Sequence, residues 1–295
     1  MNQRGSLCFL FCAILSVAAI AGAENGPTPS GHVYASPGGV DLKAYVFTPK
    51  TEGSSESKPA VVIFHGGGWT IGSAEWGFSL AEHFADLGLV GISAQYRLSD
   101  KRSVTPLEAI EDSQAVIRWV RSNADTFGID PSRIAAYGWS AGAHLATCAA
   151  IFGDKTSGEV SGAPNLLLLK SPAVAVGTSE WIQDLLGDRA KAKEISPDLL
   201  VREGLPPTLI VQGRTDTVTP TPGVERFCDR MREAGNSCEL HIYEGVGHLF
   251  TPSTEPDYDW PNPDPKVRAE AAREVDLFLV RLEYIKKSAV VSAAD

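Results

Sequence analysis

The sequence predicts an α/β protein built on a mostly parallel sheet of eight strands with helices on both faces. Apolar stretches of strand length alternate with segments in which apolar residues recur every three to four positions. The stretches at residues 61–64 and 209–211 are continuously apolar, which is typical of strands covered on both faces. Ligands of such sheets bind beyond the carboxyl ends of the strands, so functional residues are expected there.

Eight segments are predicted as strands and four as helices. The strands are at residues 32–35, 41–47, 60–64, 89–94, 134–138, 166–169, 208–212 and 239–243. The second of them alternates polar and apolar residues, which indicates a half-exposed antiparallel strand. The helices are at residues 78–87, 106–122, 141–151 and 224–234. Pro106 and Gly235 stand where the start and the stop of a helix favour these residue types.

The first 23 residues have the pattern of a secretory signal peptide. Arg4 precedes an apolar run at residues 7–20, and Ala21-Gly22-Ala23 supplies the small residues of a cleavage site. A run of 14 residues is too short to span a bilayer as a helix, so no stable membrane anchor is expected. We therefore predict a signal peptide at residues 1–23, one domain at residues 24–295, and a secreted or periplasmic protein.

The charge and the cysteines restrict the partners and the compartment. A formal net charge of −10, spread along the chain, argues against binding to nucleic acid or to anionic membrane surfaces. Three of the five cysteines follow the predicted signal peptide, in a compartment where disulfides persist. Cys228 and Cys238 stand near a helix end and a strand start, but whether they meet the distance limits of a disulfide stays open. Cys148 is expected to be a small buried residue.

The turn Gly138-Trp139-Ser140-Ala141-Gly142 joins a predicted strand directly to a predicted helix. A serine on so tight a turn takes strained backbone angles, and glycines two residues to either side remove the Cβ atoms that would collide. The hydroxyl is thereby exposed, and the backbone N–H groups at the helix start face the same point. We predict Ser140 as a nucleophile rather than as part of an ordinary glycine-serine turn.

A serine hydroxyl needs a base to become a nucleophile, and His248 follows the last predicted strand. The other five histidines are in the first strand, on helices, within the last strand or in a different motif. An acid is expected after the preceding strand, where Asp216 stands, and its carboxylate would orient the imidazole. Three rival acids follow no strand directly: Asp184, Asp188 and Asp198.

Another glycine-rich motif, His65-Gly66-Gly67-Gly68-Trp69, follows a buried strand. Its glycines let the backbone approach a substrate oxygen, and we predict the N–H groups of Gly67, Gly68 and Ala141 as an oxyanion hole. His65 is expected to brace this loop, whereas Trp69 and Trp139 are predicted to line the substrate pocket. The loop lacks Gly-x-Gly-x-x-Gly and the chain lacks a Walker pattern, which disfavours a phosphate cradle.

With these residues placed, the chain resembles the α/β-hydrolase superfamily, and within it carboxylesterases of the hormone-sensitive-lipase-like and bacterial feruloyl or acetyl xylan esterase-like groups. The resemblance covers residues 33–282 and rests on residues 65–69, Tyr96-Arg97, 129–131, 138–142, 206–208, Asp216 and Gly247-His248. It implies an α/β-hydrolase fold, a triad of Ser140, Asp216 and His248, and no metal or organic cofactor. Ala143 departs from the pattern, since many relatives carry a second glycine there.

The resemblance implies hydrolysis of short-chain or carbohydrate-linked acyl esters. Family members place a cap at the position of residues 177–200, and this segment is short here. A small cap implies an open site whose substrate is a small-molecule or polysaccharide-linked ester. Three alternatives remain: a kynurenine formamidase-like amide hydrolase, which residues 65–69 and 140–145 also resemble, a peptidase, and a catalytically silent binding protein on the same fold. The loop at residues 251–264 follows His248 and is expected to border the site.

Overall fold

A sheet of eight strands forms the centre of the protein in the computed structural model, which describes residues 29–49, 56–100, 103–153, 160–256 and 260–292. The strands are β1 (Ser30–Ala35), β2 (Leu42–Phe47), β3 (Lys58–Phe64), β4 (Val90–Ala94), β5 (Ile129–Trp139), β6 (Leu166–Lys170), β7 (Thr208–Gly213) and β8 (Cys238–Tyr243). The predicted signal peptide at residues 1–23 lies outside the described residues.

The order of the strands across the sheet is β1-β2-β4-β3-β5-β6-β7-β8. Strand β2 is antiparallel to both of its neighbours, while the pairs from β3 to β8 are parallel. The predicted mostly parallel eight-stranded sheet is therefore confirmed. Strand β5 begins at Ile129 rather than at residue 134, because Ile129 pairs with Lys58 of β3.

The helices of the described part are α1 (Phe78–Asp86), α2 (Pro106–Ser122), α3 (Ala124–Phe127), α4 (Ala141–Phe152), α5 (Glu180–Leu186), α6 (Thr221–Glu233), α7 (Pro265–Arg281) and α8 (Lys287–Ser292). All four predicted helices are present, with ends shifted by a few residues. Helix α7 was not predicted, although its signal is in the sequence: Asp264 caps the backbone N–H of Val267, and Pro265 opens the first turn.

Apolar side chains cover both faces of the sheet, which explains the continuously apolar strands. In β6, Leu167 and Leu169 belong to the core beneath α2, α4 and α6, whereas Leu166 and Leu168 belong to the core beneath α1 and α7. Because successive side chains of a strand point to opposite faces, a sheet covered on both sides requires apolar residues at every position. The predicted helices on both faces are confirmed.

The chain between β6 and β7 forms a small cap, which agrees with the short segment seen in the sequence. It contains α5 and two short 3₁₀ turns, Ala192–Ile195 and Pro197–Leu199. Arg189, just after α5, forms a salt bridge with Glu108, whose carboxylate also accepts the backbone N–H of Thr105 at the start of α2. This contact joins the cap to the body of the domain.

The disulfide that the sequence left open is present between Cys228 of α6 and the first residue of β8, Cys238, with Cα atoms 5.6 Å apart. Cys148 is free and buried, as expected. Among the described residues, no helix is both long enough and apolar enough to cross a membrane.

Candidate active site

The turn around Ser140 has the strained geometry that its glycines predict. Ser140 has φ 52°, in the left-handed region that few residues other than glycine adopt. A Cβ atom on Gly138 would lie 2.3 Å from the backbone oxygen of Gly142, and one on Gly142 would lie 2.1 Å from that of Phe64. Only glycine fits at either position, because strand, turn and helix approach one another at backbone distance.

The structure brings the three predicted triad residues together at the carboxyl edge of the sheet. The Nε2 atom of His248 lies 3.0 Å from Oγ of Ser140, and Nδ1 lies 2.9 Å from Oδ2 of Asp216. The three residues are nearly buried, with exposed fractions of 9% for Ser140, 6% for His248 and 5% for Asp216. This is the arrangement in which an imidazole takes a proton from a hydroxyl while a carboxylate fixes its orientation.

The carboxylate of Asp216 accepts four hydrogen bonds. Its Oδ1 accepts the backbone N–H groups of Val218, at 3.0 Å, and Thr219, at 2.6 Å. Its Oδ2 accepts the hydroxyl of Thr219, at 2.8 Å, in addition to the imidazole N–H of His248. The two backbone N–H groups and the imidazole N–H fix the orientation of the carboxylate, and the Thr219 hydroxyl, which also reaches a backbone oxygen, adds to them when its proton points at Oδ2.

The rival acid Asp198 occupies a different site. Its buried carboxylate forms a salt bridge with Arg226, at 3.0 Å, and accepts the hydroxyl of Ser196, at 2.6 Å. The other two rivals, Asp184 and Asp188, lie on and just after α5 in the cap. Asp216 is the acid hydrogen-bonded to the histidine.

The loop after β3 presents unshielded backbone N–H groups beside Ser140. Gly67 and Gly68 have φ 113° and 58°, and a Cβ atom on Gly67 would lie 2.1 Å from the backbone oxygen of Ile71. In the described part of the chain, the N–H groups of Gly67, Gly68 and Ala141 donate to no other group of the protein. These N–H groups are unshielded, and Ala141 stands at the positive end of α4, while their role as an oxyanion hole stays a prediction.

His65 braces this loop from below, as the sequence predicts. Its Nδ1–H donates to the backbone oxygen of Gly66, at 2.6 Å, and its ring stacks on Tyr96, with centroids 4.3 Å apart. The Tyr96 hydroxyl donates to the backbone oxygen of His65, at 2.9 Å. Burial lowers the pKa of His65 to about 4, so the ring is neutral near pH 7 and carries the single proton that this contact uses.

The two predicted pocket tryptophans lie in different surroundings. Trp69 is 4% exposed and packs its ring edge-to-face against His144, with centroids 5.1 Å apart. Trp139 is half-buried, and a Cβ atom on Gly66 would lie 2.7 Å from its ring. Trp69 thus belongs to the core beneath the loop, while Trp139 packs against the loop itself. Contact of either ring with a substrate stays a prediction.

Several residues near the site escaped the sequence analysis. Trp181 of α5 faces Gly68, since a Cβ atom added to that glycine would lie 3.7 Å from its Nε1. The Thr219 hydroxyl donates to Asp216, and Oγ of Ser171 accepts the N–H of Leu249, the residue after His248. Nothing in the local sequence marks these residues, since only the tertiary fold brings the cap and the end of β6 to the triad.

The loop at residues 251–264 borders the site in its described parts. Trp260 packs edge-to-face against Trp76, with centroids 5.6 Å apart, and Trp76 packs against His65, with centroids 5.8 Å apart. Within the described segments, no group of three or more His, Cys, Asp or Glu side chains is placed to hold a metal ion.

Comparison with known proteins defines the class. Residues 61–252 match the model of an alpha/beta hydrolase fold family, and the chain belongs to that family. The predicted fold class is thereby confirmed.

The solved structures that resemble the chain include esterase 2 of Thermogutta terrifontis, phosphoramylated by tabun. It has a TM-score of 0.78 and 31% identity, and the match covers 89% of this chain and 98% of that one. Structures of the same esterase with propionate or butyrate bound also match, each with a TM-score of 0.76.

Curated relatives carry names of esterases and of a xylanase. A probable isoprenylcysteine alpha-carbonyl methylesterase of Oryza sativa subsp. japonica is 29% identical over 70% of this chain and 53% of its own length. An endo-1,4-beta-xylanase of Butyrivibrio fibrisolvens is 26% identical over 60% of this chain and 30% of its own length. The chain spans about half the length of the first curated relatives it matches. The esterase names agree with the predicted class of enzyme, an ester-hydrolysing serine hydrolase.

Proposed function

We propose that this protein is a serine carboxylesterase that hydrolyses short-chain acyl esters through an acyl-enzyme on Ser140. The observation that carries the proposal is the position of His248, whose ring lies 3.0 Å from Oγ of Ser140 and 2.9 Å from Asp216. A hydroxyl hydrogen-bonded to an oriented imidazole is an activated nucleophile. The esterase names of the relatives and structural neighbours support the choice of an ester as substrate.

In the first step, Oγ of Ser140 attacks the ester carbonyl carbon while Nε2 of His248 accepts the hydroxyl proton. The carbonyl oxygen becomes an oxyanion, which the N–H groups of Gly67, Gly68 and Ala141 stabilise. The C–O bond to the leaving group then breaks, and the departing alkoxide takes the proton from Nε2. The products of this step are the alcohol and an ester of Ser140.

In the second step, water attacks the acyl carbon while Nε2 of His248 accepts one of its protons. The oxyanion forms and collapses again, and Oγ of Ser140 leaves with that proton. The free acid is released and the enzyme is restored. Throughout, Asp216 keeps Nδ1 protonated and Nε2 directed at the reacting oxygen.

Hydrolysis of p-nitrophenyl acetate by the wild type and by Ser140→Ala tests the proposal. The variant is expected to lose at least about 10³-fold in kcat, because the nucleophile is gone while the oxyanion hole remains. Ser113→Ala is the matched control, since Ser113 is a buried serine of α2 whose hydroxyl donates to the backbone oxygen of Ile110. A Ser140→Ala protein with wild-type activity would contradict the mechanism.

A substrate panel separates the proposal from its alternatives. Acetyl, butyryl and feruloyl p-nitrophenyl esters, N-formylkynurenine and a peptide p-nitroanilide would be compared by kcat/KM. Preference for the short acyl esters is expected, because the cap is small and a matched esterase binds propionate and butyrate in its solved structures. A higher kcat/KM on either amide than on the esters would favour an amide hydrolase. Absence of turnover of every substrate would favour a binding protein.

We further propose that the alcohol part of the natural ester is a carbohydrate. Three exposed indoles lie near the oxyanion loop: Trp76 (42% exposed) packs against His65, Trp260 (73%) packs against Trp76, and Trp181 (46%) faces Gly68. Exposed aromatic faces next to a catalytic centre suit the apolar faces of sugar rings. The match to a xylanase supports the same choice. Acetylated xylan would be deacetylated faster by the wild type than by Trp260→Ala, with equal rates on p-nitrophenyl acetate.

We propose that the protein is exported, with cleavage after Ala23. The pattern of residues 1–23 and the disulfide between Cys228 and Cys238 support an oxidising compartment. Expression of the full chain in a bacterial host, followed by mass spectrometry of the exported protein, tests this. A mature chain that begins at Glu24 is expected, and a protein confined to the cytoplasm with Met1 retained would contradict it.

A further inference from the structure

The short segment that follows β6, residues 170–173, is bonded to the nucleophile turn from both sides. The backbone oxygen of Lys170 accepts the N–H of Ser140 at 3.0 Å, and the N–H of Ala173 donates to the backbone oxygen of Ser140 at 3.3 Å. The N–H of Ser171, between them, donates to β7. Backbone hydrogen bonds alone therefore fix this segment relative to the nucleophile.

The side chain and the backbone of Ser171 reach the other two loops of the triad. Its Oγ accepts the backbone N–H of Leu249, the residue after His248, at 3.1 Å. Its backbone oxygen accepts the hydroxyl of Thr219, in the loop of Asp216, at 3.1 Å. One buried serine thus joins the end of β6 to both the histidine loop and the acid loop.

The backbone on both sides of this contact is strained. Ser171 has φ 44° and Leu249 has φ 52°, both in the left-handed region that residues with a side chain rarely adopt. Such conformations persist only where the surrounding contacts enforce them, and they concentrate at functional sites. The hydrogen bond between Ser171 and Leu249 is one of those contacts.

The hydroxyl of Thr219 lies between the acid and the base. Its Oγ1 is 2.8 Å from Oδ2 of Asp216, 3.1 Å from the backbone oxygen of Ser171 and 3.3 Å from Nδ1 of His248. Its single proton bonds one of the two oxygens at a time. The hydroxyl lies within hydrogen-bond distance of both the carboxylate and the imidazole, so it couples their positions.

We propose that Ser171 and Thr219 are positioning residues of the triad, which hold the histidine loop and the acid loop in register with the nucleophile. The inference rests on the proposed function. His248 lies on a loop and must stay about 3 Å from two partners on two other loops. Because a misplacement of about 1 Å costs up to about 10²-fold in rate, contacts that fix the loops act on kcat.

Steady-state hydrolysis of p-nitrophenyl acetate by Ser171→Ala and Thr219→Val tests the inference. Each variant is expected to lose about 10-fold or more in kcat, with KM within twofold, because the ester still binds while the proton transfer is misaligned. Thr219→Ser keeps the hydroxyl and is expected to stay within threefold of the wild-type kcat. Rescue by serine distinguishes positioning by the hydroxyl from filling of space.

Thr221→Val is the matched control. Thr221, two residues further along at the start of α6, is also buried, and its hydroxyl donates to the backbone oxygen of Gly213 rather than to a triad residue. Its kcat is expected to stay within threefold of the wild type. If Thr219→Val and Ser171→Ala keep wild-type kcat, or raise KM alone, the inference is wrong. It is equally wrong if Thr219→Ser is as slow as Thr219→Val.

A second measurement keeps the inference testable apart from ester hydrolysis. Phosphorylation of Ser140 by paraoxon releases one p-nitrophenol per active site and depends on the same alignment of serine and imidazole. The phosphorylation rate is expected to fall about 10-fold in Thr219→Val and Ser171→Ala, measured at a temperature where circular dichroism finds both folded. If the wild type reacts with paraoxon but hydrolyses no ester, the proposed function fails while the positioning roles are still measured. If the wild type hydrolyses esters and the variants are not slowed in either reaction, the inference alone fails.

Discussion

A Cβ atom on Gly142 would lie 2.1 Å from the backbone oxygen of Phe64, so the nucleophile helix and the end of β3 touch at backbone distance. Gly142→Ala is therefore expected to separate the oxyanion loop from Ser140. We predict a loss of about 1–3 kcal/mol in the free energy of unfolding and at least about 10²-fold in kcat/KM. Urea denaturation and p-nitrophenyl acetate hydrolysis would measure the two effects.

Gly31→Ala is the control for that prediction, since a Cβ atom there would meet side chains and no backbone, the Tyr45 ring at 3.2 Å and Cδ of Lys43 at 3.9 Å. It is expected to change stability and activity little. A Gly142→Ala enzyme as active as Gly31→Ala would contradict the packing argument.

Replacement of the acid separates Asp216 from its rival Asp198. Asp216→Asn is expected to lower kcat by about 10⁴-fold, because an amide in place of the carboxylate favours the wrong imidazole tautomer. Asp198→Asn removes an equally buried carboxylate, which pairs with Arg226, and is expected to lower stability while kcat stays within about fivefold. Both values come from p-nitrophenyl acetate kinetics, and the reverse pattern would reassign the catalytic acid.

Removal of the disulfide is expected to destabilise the fold without altering the chemistry. Cys228 and Cys238 are 10 positions apart in the sequence. For a loop of this length, the loss of chain entropy in the unfolded state predicts a stabilisation of about 3 kcal/mol. The double variant Cys228→Ala/Cys238→Ala should unfold at lower urea with unchanged kcat at 25 °C. Dithiothreitol should lower the midpoint of the wild type but not that of the double variant. If dithiothreitol lowered the midpoint of both proteins equally, the effect of the reductant would not come from this disulfide.

The ammonium group of Lys170, a half-buried residue at the end of β6, makes stability depend on pH. Burial, with a smaller contribution from Arg268, lowers the pKa of Lys170 from 10.5 to about 8. Between these two values the unfolded chain holds more protons than the folded protein, so the free energy of unfolding rises with pH across the window. Below pH 8, the folded state carries the full unfavourable energy of a charged ammonium in this position.

Lys170→Met should remove that pH dependence. We expect the variant to be more stable than the wild type by about 1–2 kcal/mol at pH 7, with the difference shrinking from pH 8 to pH 10. Loss of the contact between Nζ and the Phe250 ring, at 4.8 Å, offsets part of the gain. Urea denaturation at each pH measures it. A stability difference between Lys170→Met and the wild type that does not change from pH 7 to pH 10 would overturn the argument.

The parts of the fold that were predicted are those with strong local signals. The strands of the parallel sheet are continuously apolar, and α2 starts and ends where its proline and its periodicity place it. Helix α7 was missed although Asp264 and Pro265 mark its start. Helix α5 was missed because seven residues make only two turns, too few for a periodic pattern of apolar residues to be recognised.

The sequence by itself determined the chemical groups and their order along the chain. Ser140, Asp216 and His248 each follow a strand, and parallel strands end at one edge of the sheet. A turn that forces a serine to φ 52° needs glycine on either side, so the pattern is legible without coordinates.

Only the tertiary structure decided how the loops are held together. The contacts of Ser171 with Thr219 and Leu249 join residues 48 and 78 positions apart, and the approach of Trp181 to Gly68 joins the cap to the body. The disulfide likewise depended on a Cα separation of 5.6 Å. Distances of this kind depend on the packing of the whole domain and not on residue type, which is why a local pattern does not contain them.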